Sequence, residues 1–116
     1  MQWQLASGKL TINGKLFQHA SGKPVTIAVE KEGKLFVLLE PHQSPAVERN
    51  VLALNDAGKV IWEIEAVERI GKGRLTFSEL RLEEDQLVAY SSLGGDYVID
   101  RKTGRIRAKD PNHRPR

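Results

Sequence analysis

At 116 residues the chain is one domain of ordinary size, and a chain of this length buries roughly 60–70% of its unfolded surface, enough for a core without covalent staples. It contains no cysteine, which excludes disulfides and thiolate metal sites. The net charge of +3 conceals an asymmetry: residues 101–116 hold seven Lys or Arg against one Asp, a net +6, so the first hundred residues carry −3.

No apolar run approaches the ~20 residues of a membrane span, and the start MQWQLASGKL lacks the basic and apolar regions of a secretory signal. A soluble cytoplasmic protein without a membrane partner is expected.

Taken in order, residues 2–5 alternate Gln2 and Gln4 with Trp3 and Leu5. Two short runs, KLTI and KLF, follow on either side of Asn13-Gly14, a strong two-residue hairpin signal. After the turn cluster Ser21-Gly22-Lys23-Pro24, Val25, Ile27 and Val29 recur at period two, which predicts one shared face. Residues 35–39 are continuously apolar and predict a strand covered on both faces. Pro41 and Pro45 bar the polar stretch that follows from a central strand and make it a loop. A further hairpin is expected from 51–54 to 60–64 across Asn55-Asp56-Ala57-Gly58. Residues 66–72 are the one place where a short helical turn is expected. Residues 75–82 alternate loosely, with Phe77, Glu79 and Arg81 opposite Ser78, Leu80 and Leu82. The stretch 86–106 then reads as three strands, with turns at Gly94-Gly95 and at Asp100-x-x-Thr103-Gly104. Residues 110–116 form an expected frayed basic tail beyond a single domain at 1–109.

An internal repeat emerges. Strands expected at 25–30, 34–40, 49–55 and 59–65 reappear at 77–83, 86–92, 95–100 and 104–108. The first two starts are displaced by 52 residues and the third by 46, with the difference absorbed in the proline-containing loop. Trp3-Gln4-Leu5 also resembles Trp62-Glu63-Ile64, as though the chain opened on the last strand of an earlier unit.

The segments LVAYSSLGGDYVIDRKTGRI and NVLALNDAGKVIWEI resemble blades of quinoprotein-type (PQQ-like) β-propellers. Tyr97, Ile99, Asp100, Thr103 and Gly104 fit the blade pattern, as do Leu54, Gly58 and Trp62, over residues 25–108. The resemblance implies repeated four-stranded antiparallel units. It departs at Arg105-Ile106-Arg107-Ala108, where the closing Trp is missing, and at Asn55, where there is no Thr-Gly. Two units fall short of the about four blades that close a propeller. No residues match the clusters that hold a quinone and its calcium, so no cofactor is expected.

The fold class expected is therefore all-β: an antiparallel meander of roughly eight to ten strands in two blade-like four-stranded units, closed as a sandwich or barrel. Trp62, Phe36, Leu38, Val51, Val88, Tyr90 and Ile99 are its expected core.

Candidate chemistry is sparse. Asp100 could ligate a metal with Asp96, yet an Asp heading a turn accepts backbone N–H groups while Gly104 supplies the positive φ. Asp100 and Gly104, with Trp62 and Tyr97, are thus expected to be structural. His19, His42 and His113 lie in distant segments without metal-ligand spacing and read as surface residues. Glu83-Glu84-Asp85 falls in a turn, where water keeps carboxylates ionised. Ser91-Ser92 lacks a G-x-S-x-G elbow. No catalytic residue or metal ligand is expected.

Two stretches suit partner contact: Pro41, His42, Gln43 and Pro45 in the long loop, and Arg105, Arg107 and Lys109 in the basic end. That end has no interleaved aromatics for stacking on nucleic acid. The expected function is a non-enzymatic β-scaffold binding a protein partner, or itself as a homo-oligomer. The alternatives are a small-ligand-binding β-barrel, or weak nucleic-acid binding through the basic segment.

Overall fold

In the computed structural model, which describes residues 1–41, 48–69, 73–92 and 94–110, every regular element is a strand. β1 (Trp3–Ala6), β2 (Lys9–Ile12) and β3 (Lys15–Phe17) form one antiparallel meander. β4 (Val25–Lys31), β5 (Lys34–Leu39), β6 (Val51–Leu54) and β7 (Val60–Glu63) form the second. A two-stranded ribbon, β8 (Glu68–Arg69) with β9 (Gly73–Arg74), leads to the third meander. Its strands are β10 (Phe77–Glu83), β11 (Gln86–Ser91), β12 (Asp96–Ile99) and β13 (Ile106–Asp110). The helical turn expected over 66–72 is replaced, among the described residues, by this ribbon. Gly71, with Gly73 just beyond, and the β-branched Val67 and Ile70 make the segment a poor helix former.

The three meanders stack as layers, and the all-β expectation holds. The closure is a sandwich with an extra layer, and the barrel alternative does not form. The middle sheet is apolar on both faces. Leu35, Val37, Leu39, Leu52 and Leu54 pack towards Leu10 and Ile12 of the first layer. Phe36, Leu38, Val51 and Ala53 pack on the other side towards Phe77, Leu80, Leu87 and Ala89 of the third. This double covering is why 35–39 reads as an unbroken apolar run. The outer faces are mixed. Thr11 stands between Gln4 and the exposed Leu16 on the first sheet, and on the third Arg81 and Asp96 lie beside Val88 and Val98.

The hairpin turns follow their sequences. Asn13 and Gly14 both take positive φ, 50° and 82°, as a type I′ turn requires. Trp3 does not close an earlier unit. It sits in the first strand of a separate three-stranded meander, and its indole N–H donates to Glu30 Oε1 at 2.8 Å, tying that layer to β4.

The repeat recurs in the β-bulges. β4 carries an extra residue at Thr26 and β10 at Ser78, again 52 positions apart. β7 carries one at Ile61 and β13 at Arg107, 46 positions apart. A bulge turns the following side chains to the other face, and this corrects two expectations. Val25 packs with the first-layer core while Ile27 and Val29 face the third layer. Phe77 joins Leu80 and Leu82 on the inner face.

Of the expected core, Trp62, Phe36, Leu38, Val51 and Ile99 are in place. Val88 is buried as expected, though on the outer face, because strand alternation sends Leu87 and Ala89 inward. Tyr90 is corrected: it is half-buried. Beside them Arg81 holds the buried Asp96 by two bonds, at 2.6 and 3.3 Å, and Glu83 through Nε at 2.8 Å. The Asp96 hydrogen bonds, opposed in part by burial and joined by Glu83, push the Arg81 pKa further up.

Asn50, wholly buried, is the clip that the sequence reading missed. Its Nδ2 donates to the carbonyls of Leu39 (3.0 Å) and Phe77 (2.7 Å), and its Oδ1 accepts from Phe77 N–H at 2.9 Å. One side chain thereby substitutes for a strand partner and fastens the start of β10 to the middle sheet.

Candidate functional site

Two layers meet at the turn between β12 and β13, where three of the expected structural residues, Trp62, Asp100 and Gly104, converge. Asp100 Oδ1 accepts the Lys102 N–H at 2.8 Å, while its carbonyl accepts the Gly104 N–H at 2.8 Å. Asp96, at the far end of β12, pairs with Arg81 and does not join Asp100. Gly104 has φ +79°, and a Cβ there would lie 2.5 Å from Trp62 Cε3 and 3.0 Å from the Glu63 carbonyl oxygen. The indole of Trp62 lies against that glycine, donates Nε1–H to the Arg101 carbonyl at 2.9 Å and meets Phe36 at 5.9 Å. Glu65 completes the dock, donating N–H to the Gly104 carbonyl and accepting Ile106 N–H, both at 2.9 Å. Tyr97 is buried edge-on against Phe77 at 5.5 Å.

The same turn forms one wall of a cleft of about 260 Å³, whose other wall is the β4–β5 turn. Lys31, Lys34, Arg101, Lys102 and Arg107 line it together with Glu32, Asp100 and Phe36. A second cleft, of about 330 Å³, shares Asp100, Arg101 and Arg107 and extends past Asp85, Gln86, Val98 and Ala108. Lys31 pairs with Asp85 at 2.5 Å and Arg101 with Glu32 at 3.6 Å.

Asp85 takes φ +67° where the equivalent turn of the middle layer has Gly33 at +77°. Asp is among the few non-glycine residues that enter this left-handed region, and its carboxylate there meets Lys31. The Lys31 hydrogen bond, then its charge, holds the Asp85 carboxyl below the ordinary value of 3.8. Because the folded pKa is the lower one, the pair's stabilisation is present above the unfolded pKa and is lost as pH falls through the folded value. An NMR titration of the Asp85 carboxyl should show a midpoint below 3.8 in the native chain, and Lys31→Met should move it up to the ordinary range.

A third surface lies on the first-layer side of the same end of the middle sheet, where the edge strands β3 and β7 come together; Val60 stands two strands from Leu35 in register. Leu16, Val60 and Ile61 are the large apolar side chains left exposed among the described residues, at 50%, 44% and 42%. Leu16, Phe17 and Val60 line a cleft of about 360 Å³ with Ile12, Lys15 and Gly58. His19, read as a surface residue, is largely covered. Its Nδ1 meets Ser21 Oγ at 2.7 Å and its Nε2 meets Glu63 Oε2 at 3.5 Å, linking the two layers along this seam.

The expected contact residues do not form one surface. Arg107 lines the cationic clefts, Arg105 is exposed outside them, and Lys109 lies over the Tyr97 ring at 5.4 Å. Pro41 is half-buried, while His42, Gln43 and Pro45 lie outside the described residues. Sequence reading missed Lys31 and Lys34, because the Lys-Glu-Gly-Lys turn carrying them gives no hint that Arg101 and Arg107 fold against it.

The geometry defines a class: a non-helical stack of consecutive antiparallel meanders with turn-built clefts at the layer seams. Residues 1–110 match the family described as a domain of unknown function (DUF7957), and the chain belongs to that family. No curated protein and no solved structure matches it.

Proposed function

We propose that this chain is a non-enzymatic β-scaffold that associates with a second copy of itself through the β3/β7 seam. The carrying observation is that the exposed large apolar residues, Leu16, Val60 and Ile61, all fall on these two neighbouring edge strands. Single exposed aliphatics are ordinary on any surface, whereas grouped ones mark contact sites. The bulge at Ile61 breaks the regularity of β7, which disfavours addition of a strand and favours docking of side chains into the cleft. Lys15 and Lys59 flank the apolar residues on one side and Glu63 on the other. A rim of both signs suits an isologous two-fold contact better than a strongly charged partner.

The resemblance to propeller blades supports the scaffold part of this reading through the layered meanders and the Trp62 dock on the Asp100–Gly104 turn. A ligand-binding barrel has less support, because Phe36, Leu38, Phe77 and Leu87 fill the space between layers.

Sedimentation velocity over rising concentration tests the reading. A dimer is expected, and Val60→Lys or Leu16→Lys should return it to monomer. A native chain still monomeric at about 1 mM, where an association of only about 4 kcal/mol would show, would overturn it. So would a dimer indifferent to both substitutions.

A further inference from the structure

The structure assigns a second binding site, independent of the seam: we propose that the cleft between the β4–β5 and β12–β13 turns binds a small phosphomonoester dianion. Five cationic side chains from two layers line it against Glu32 and Asp100, a net +3 that equals the net charge of the whole chain. The acidic groups at the cleft engage two of its five cations, Arg101 and Lys31, and one backbone N–H. Asp100 accepts the Lys102 backbone N–H, Glu32 pairs with Arg101, and Asp85 pairs with Lys31. Lys34, Lys102 and Arg107 have no ion-pair partner among the described residues. Holding these like charges around one concavity raises the folded state's electrostatic energy, and a bound anion lowers it.

The backbone builds this arrangement. Arg107 is the bulged residue of β13, the counterpart of Ile61 in β7, and a bulge is a device for re-aiming one side chain. In one repeat that position presents an aliphatic residue at an open edge, and in the other it puts a guanidinium in a cleft. The guanidinium of Arg107 and the ammoniums of Lys34 and Lys102 suit the oxygens of a phosphate, with the planar fork taking a pair of oxygens. At about 260 Å³ the site is just under the roughly 300–1,000 Å³ of drug-sized ligand pockets. It suits a phosphate with a small substituent, for which the adjoining cleft offers room beside Gln86 and Val98. The aromatic residue of the lining, Phe36, is fully buried, so no ring is presented for base stacking, and an extended nucleic acid fits less well.

The test is calorimetric or NMR titration of the full chain with inorganic phosphate and then phenyl phosphate, at constant ionic strength. Saturable one-site binding is expected. Arg107→Gln and Lys34→Gln should each weaken it about tenfold, as loss of a charge-assisted hydrogen bond does, while Arg105→Gln, exposed outside the cleft, leaves it unchanged. Absence of saturable binding overturns the proposal, as does an equal loss with Arg105→Gln. Tighter binding of a labelled random DNA duplex, weakened alike by all three substitutions, would show a diffuse polyanion surface instead. None of these outcomes bears on the seam.

Discussion

Trp62→Ala is expected to lower stability by about 3–5 kcal/mol, a large part of the roughly 5–15 kcal/mol that holds a domain folded. The substitution empties the space between Phe36 and the Asp100–Gly104 turn, and it removes the indole bond to the Arg101 carbonyl. Gly104→Ala tests the other half of the contact. It should cost about 1–2 kcal/mol for the left-handed backbone and about 1–3 kcal/mol more for forcing a methyl into the indole. In the Trp62→Ala background the second part largely disappears, so the double variant should be less damaged than the sum of the singles. Urea denaturation of the four proteins checks this. Additive losses would mean that the indole does not rest on Gly104.

Asn50→Ala should cost about 2–5 kcal/mol, because it strands the buried N–H and C=O of Phe77 at about 1–3 kcal/mol each. Asn50→Asp keeps an acceptor for the Phe77 N–H but turns oxygen towards the Leu39 and Phe77 carbonyls and buries a charge. At neutral pH it should be at least as destabilising as alanine. Hydrogen exchange at Phe77 reports the mechanism: its amide should lose protection before the rest of β10. A Phe77 amide unchanged in both variants would sink the idea of a side-chain clip.

These two residues also mark how far sequence reading extends. Trp62, Tyr97, Asp100 and Gly104 were legible because turn chemistry is local: a few consecutive residues encode a left-handed glycine and its Asp. Asn50 was not. An asparagine at the entrance of an apolar strand resembles any loop residue until Phe77, 27 positions away, is folded against it.

The alternation of residues, the glycine-bearing turns and the 52- and 46-residue offsets marked the two four-stranded units and their chain order, because each depends on neighbours within one hairpin. The separate three-stranded meander and the β8–β9 ribbon bring the strands among the described residues to thirteen, where roughly eight to ten were expected. Face assignment failed at Thr26 and Ser78, since one extra residue inverts every side chain beyond it and leaves no mark on composition. Within the basic end, residues 101–109 are dispersed by folding, while the tail expected at 110–116 lies almost wholly outside the described residues. Arg107 joins Lys31 and Lys34, Lys109 covers Tyr97, and Arg105 stays in solvent. That sorting is decided by which sheet stacks on which, through contacts between residues some 70 positions apart, and no periodicity within a strand carries such information.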